Sequence, residues 1–153
     1  MRALGLAGVP NARSARTTRP APPGGHEPRD RLERDFTAGA PDQRWVADIT
    51  YVPTQAGWVY TTFILDVFHR EIVGWQVTNH MRESLARDAL TMALAAKYRV
   101  GEDVSGLVHH SDRGVQFRSI RYGEALAESE IVASVGSRGD SFDNAMAEAL
   151  NSV

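Results

Sequence analysis

Between residues 45 and 78 the chain offers three β-rich runs with very little sequence to join them. Residues 45–52 alternate, so that Trp45, Ala47, Ile49 and Tyr51 face one side of a strand and Val46, Asp48, Thr50 and Val52 the other. Pro53-Thr54-Gln55-Ala56-Gly57 reads as a turn, residues 58–68 as a second strand, and His69-Arg70 as a two-residue connector into a third strand at 72–78. Strands joined this tightly pair antiparallel, because a parallel return needs a dozen or more residues. An antiparallel meander is therefore the first fixed piece of the fold.

The rhythm then changes. Residues 83–98 are helical in pattern, with Leu85, Ala89, Met92 and Ala96 expected on one face, and Gly101 helps to end the helix. A short strand at 106–110 is reached across that helix, which predicts parallel pairing. The polar turn Ser111-Asp112-Arg113-Gly114, a helix at 119–127 and a fifth strand at 131–135 follow. After the loop 136–140, Asp140 or Ser141 can cap a last helix. Its apolar face would hold Phe142, Met146, Ala149, Leu150 and Val153, and its polar face Ser141, Asn144, Glu148 and Asn151. The order β-β-β-α-β-α-β-α gives an α/β fold with a mixed five-stranded sheet, three antiparallel strands then parallel ones, flanked by helices.

Residues 1–40 read differently, as a basic, Pro/Gly-rich linker or disordered arm ahead of a folded body at 41–153. Residues 1–44 hold eight Arg against five acids, a net of +3; the whole chain carries −2, so the remainder carries −5. A phosphate-contacting arm on a metal-binding body fits this asymmetry, and so does a solvated tail. The acid-free stretch before Glu27 mimics an organelle transit peptide, though a linker is the simpler account. With no Cys there is no disulfide framework and no thiolate zinc site, which points to a reducing interior. No apolar run approaches the roughly 20 residues of a membrane span.

Three acids stand in specific settings. Asp48 lies mid-strand among apolar neighbours, where a carboxylate needs a partner or a metal unless the edge is solvated. Asp112 follows a short apolar strand, where α/β folds gather their sites and where Asx turns also form. Glu148 is the one acid on its polar helix face. His109 and His110 are adjacent in a strand and so point to opposite faces, which argues against joint metal ligation. Asp66 reads as a strand-end structural acid and Asp143 as a first-turn acid favoured by the helix dipole.

Three blocks draw these acids together. Trp45-Val46-Ala47-Asp48-Ile49-Thr50-Tyr51, His110-Ser111-Asp112-Arg113-Gly114-Val115-Gln116-Phe117 and the run from Ser137 through Asp140, Asn144 and Glu148 to Ser152 resemble the signature blocks of insertion-sequence transposases of the OrfB type. These belong to the wider DDE transposase and retroviral integrase superfamily. The spacing agrees, with thirty-five residues between Asp112 and Glu148. The resemblance spans about residues 34–153 and implies a ribonuclease-H-like fold. It implies that Asp48, Asp112 and Glu148 bind two Mg²⁺ or Mn²⁺ ions through hard carboxylate oxygens. Metal-dependent strand cleavage at transposon ends and transfer to target DNA would follow, with no covalent protein–DNA link. Arg113, Gln116, Arg138 and Asn144 would contact DNA or orient the acids.

The resemblance further implies DNA as substrate, a homo-oligomer or full-length transposase as protein partner, and a nucleoid-associated place in a bacterial cytoplasm. Family members continue beyond the Glu148 helix and carry a helix-turn-helix region before the core, so a core shortened at both ends is expected. Two other outcomes fit the same residues: a nuclease of this fold that only hydrolyses, and a non-catalytic fragment that binds DNA or inhibits full-length transposase.

Overall fold

In the computed structural model, residues 28–33 and 35–136 are described. Among them the elements are β1 (Arg44–Thr54), β2 (Gly57–Asp66), β3 (Ile72–Thr78), α1 (Glu83–Val100), β4 (Val108–Ser111), α2 (Ile120–Glu128) and β5 (Val132–Val135). They form one five-stranded sheet in the order β3-β2-β1-β4-β5. β1 pairs antiparallel with β2 and β2 with β3, whereas β4 runs parallel to both β1 and β5. This is the mixed, ribonuclease-H-like sheet that the connector lengths and the resemblance predict. No helix of the described residues is long and apolar enough to cross a membrane.

Each strand divides its side chains between the two faces of the sheet. Trp45, Ala47 and Ile64 pack into the main core with α1, α2 and their flanking loops. α1 approaches closely because its buried stripe is small as well as apolar: Leu85, Ala86, Ala89, Leu90, Ala93 and Leu94. At Gly74 of β3 an added Cβ would press on the Ala89 carbonyl and come within 2.9 Å of the Ala93 Cβ. Met92, expected on this face, instead points outward and is 45% exposed. The buried stripe advances by one and then three residues, and Met92 falls between its rows.

The opposite face carries Val46 and Phe63, covered by Leu32 and Val67 with Phe36 and Ala38 alongside. Leu32 is only 2% exposed. The expected division at residue 40 therefore runs through a segment that is packed on the sheet, held there by its few apolar side chains.

Two polar knots close the end of the sheet where β2 finishes. Asp66 is buried, and its carboxylate accepts the N–H groups of Asp42 (2.7 Å), Phe68 (2.9 Å) and His69 (2.9 Å). This carboxylate turns the chain, so β2 stops at Asp66 rather than at the expected residue 68. Asp42 in turn accepts from the Trp45 indole (3.0 Å) and the Lys97 ammonium (2.6 Å), and Lys97 also meets Glu102 at 2.8 Å. Burial works against the Lys97 charge, but its hydrogen bonds to Asp42 and Glu102 outweigh it and hold the ammonium above its ordinary range. The knot fastens the last turn of α1 to the start of β1.

Candidate active site

The parallel ladder between β1 and β4 ends with Ala47 opposite Ser111. Asp48 continues β1 one residue past that last pair, in the middle of the strand, and Asp112 is the first residue after β4, so both follow directly from the end of the shared ladder. Parallel neighbours lie roughly 4.8 Å apart. Asp48 is half-buried, and its backbone is fixed across the sheet by the Thr62 hydroxyl, which donates to the Asp48 carbonyl at 3.0 Å. Asp112 is exposed. One of its carboxylate oxygens accepts the Gly114 N–H at 2.8 Å, an Asx turn that bends the chain away from the strand. A Cβ at Gly114 would stand 2.8 Å from that same oxygen, so the turn leaves no room for a side chain.

Arg113 and Gln116 brace this turn. The Arg113 Nε donates to the Gly136 carbonyl at 2.8 Å, and the Gly136 N–H donates to the Ser111 carbonyl at 3.2 Å. These bonds tie the Asp112 turn to the end of β5. Gln116, expected at a DNA surface, is instead 6% exposed, and its amide donates to the Met81 carbonyl at 3.1 Å. It links the Asp112 turn to the loop that enters α1. Sequence reasoning missed this role, because a Gln in a polar turn carries no mark of burial.

The two histidines of β4 do point to opposite faces. His109 meets the Tyr122 hydroxyl of α2 at 3.0 Å. Burial lowers His109 from 6.5 to about 4 and pushes Tyr122 up, so a neutral imidazole pairs with an intact phenol. His110 faces the other way, with its Nδ1 2.9 Å from the Ser134 hydroxyl and 4.0 Å from an Asp30 oxygen. Among the described residues no cluster of three metal-ligating side chains occurs. The third expected acid, Glu148, lies outside the described residues, as do Arg138 and Asn144.

Comparison with known proteins agrees with this architecture. The family model described as an integrase core domain matches residues 38–141. The transposase for insertion sequence element IS629 of Shigella sonnei is 48% identical over 155 residues, covering 100% of this chain and 49% of the relative. A putative transposase for IS986/IS6110 of Mycobacterium tuberculosis is 43% identical over 154 residues, covering 100% of this chain and 55% of its own length. Transposase InsF for insertion sequence IS3A of Escherichia coli is 37% identical over 119 residues, 78% of this chain and 40% of that protein. The chain thus spans about half the length of the curated relatives it matches.

Among solved structures, a simian T-cell lymphotropic virus intasome in complex with a PP2A regulatory subunit has the same fold. Its TM-score is 0.65 at 19% identity, over 86% of this chain and 44% of that one. The HTLV-2 integrase catalytic core domain in complex with magnesium gives 0.58 at 16% identity, over 76% of this chain and 69% of that one. With the sheet order and a family model that matches most of its length, the chain belongs to the integrase core family.

Proposed function

We propose that this chain is the catalytic core of a transposase that cuts DNA at the ends of an insertion element and joins those ends to target DNA. The observation that supports the reading is the β1–β4 register, in which Asp48 and Asp112 each follow the last ladder pair, Ala47 opposite Ser111. Glu148, thirty-five intervening residues beyond Asp112, is the third acid of the set. The donor chemistry fits two Mg²⁺ or Mn²⁺ ions, since these hard cations take carboxylate oxygens in preference to imidazole or thiolate. Both β4 histidines are already engaged elsewhere. The magnesium bound by the HTLV-2 integrase core supports the same choice.

Such ions supply an activated water or 3′-hydroxyl and a stabilised leaving 3′-oxygen for in-line displacement at phosphorus. The protein's part is to position. Thr62 and the sheet hold Asp48, the Asx turn aims Asp112, and Arg113 and Gln116 brace that turn from two sides. Arg113 and Arg138 are assigned to the DNA backbone, and Asn144 to a phosphate or to orienting Glu148. DNA and a second copy or full-length transposase are the partners, at the nucleoid of a bacterial cytoplasm.

The test is a plasmid assay with Mn²⁺ and a labelled oligonucleotide bearing a free 3′-hydroxyl. Nicking together with oligonucleotide joining is expected, and Asp48→Asn or Asp112→Asn should abolish both. Nicking without joining would indicate a hydrolytic nuclease, and neither reaction would indicate a non-catalytic fragment. Activity that survives Asp48→Asn would overturn the site.

A further inference from the structure

The segment before β1 does more than cover apolar surface. The Arg29 carbonyl accepts the Val135 N–H at 3.4 Å on the open edge of β5, and the Arg31 N–H donates to the Ser134 hydroxyl at 2.9 Å. One oxygen of Asp30 accepts the N–H groups of Leu32 (2.9 Å) and Glu33 (3.1 Å). Leu32 is then buried against Val46, Phe63 and Val67, and the Phe36 ring stands edge-on to His110 at 6.1 Å. The segment is a strap with backbone, polar and apolar anchors.

Side chains alternate along extended chain. Asp30 and Leu32 are the more buried positions, whereas Arg29 and Arg31 are both exposed. Neither guanidinium has a hydrogen bond or ion pair among the described residues. The strap meets the sheet at its functional end. Val135 is the last residue of β5, and Gly136 after it is bonded to Ser111 and Arg113 beside Asp112. Arg29 therefore lies about two strand spacings, roughly 10 Å, from the Asp112 backbone.

We infer that Arg29 and Arg31 are a phosphate-binding pair that holds the DNA backbone against the Asp112 end of the sheet. The inference rests on the proposed action on DNA. A guanidinium matches phosphate oxygens in a planar fork, and these two alternate with the more buried Asp30 and Leu32 along the strap. The upstream residues Arg2, Arg13, Arg16 and Arg19 add charge, but the strap pair acts from a position set by Leu32 and Ser134.

The test is binding of the full chain to a labelled DNA duplex across a salt series, without divalent metal. Each phosphate contact contributes about 0.9 to the slope of log affinity against log salt, so Arg29→Gln/Arg31→Gln should lower that slope by about 1.8. Arg29→Lys/Arg31→Lys should keep most of it. Arg70→Gln/Arg99→Gln removes the same charge from exposed positions at the other end of the sheet and should leave the slope unchanged. Equal losses from both Gln pairs, an unchanged slope in the strap variant, or no duplex binding by the wild-type chain would each overturn the inference. A wild-type melting temperature in the strap variant shows that folding is not the cause. Because the assay reads binding alone, a chain that binds through the strap but neither cuts nor joins would contradict the transposase reading and leave this one standing.

Discussion

His109 shows how a residue's environment becomes a property of the whole fold. It is 1% exposed, with the Tyr122 hydroxyl as its partner, and burial holds it near 4. The unfolded chain takes up a proton on this ring as pH falls through 6.5, whereas the folded chain does not until about 4. The resulting stability is present above 6.5 and is lost progressively between 6.5 and 4. Between pH 7 and pH 5 the loss from this group is about 2 kcal/mol. Urea unfolding at the two pH values should show it, and His109→Gln should flatten the dependence by a similar amount. An unchanged dependence in that variant would refute the assignment. At this scale the sequence was partly legible. Strand alternation separated His109 from His110, and the place of Asp66 at a strand end marked its structural role. The burial of Gln116 was not legible, because it depends on where the Met81 carbonyl arrives from another part of the chain.

Among the elements, the meeting of β3 and α1 sets how closely helix and sheet can pack. Gly74 lies under Ala89 and Ala93, and a methyl group there collides with helix backbone, which cannot swing aside as a side-chain tip can. Gly74→Ala should destabilise the fold by about 1–3 kcal/mol, the usual range for overpacking a close-fitted contact. Chemical denaturation measures this, and a neutral result would mean that α1 sits further from the sheet. Connector lengths and periodicity predicted every described strand and helix, to within two residues at most ends. They placed Leu85 and Ala89 correctly on the inward side of α1 but put Met92 there as well. Half of the buried stripe is Ala, which hydrophobicity marks weakly beside a Met, yet Met92 faces solvent. Asp48 and Asp112 were legible as motifs, but that both follow the last pair of the β1–β4 ladder is a property of topology.

At the scale of the whole molecule, both faces of the sheet carry packed apolar side chains among the described residues. Among the described residues α1 and α2 lie on one side, the strap through Leu32 and Phe36 lies on the other, and Asp48 and Asp112 follow the last pair of the β1–β4 ladder. The composition of the strap is polar and rich in Arg, like a linker, and a single deeply buried Leu carries little weight in such a stretch. The account stands on the acids acting together as one metal site. The most direct measurement is a thermal melt with and without Mn²⁺ on the wild-type chain, Asp48→Asn and Glu148→Gln. A ligand at 100 times its dissociation constant stabilises a fold by about 2.7 kcal/mol through mass action. The account predicts a Mn²⁺-dependent rise in the wild type that both variants lose. A rise of equal size in all three, or none in the wild type, would contradict it.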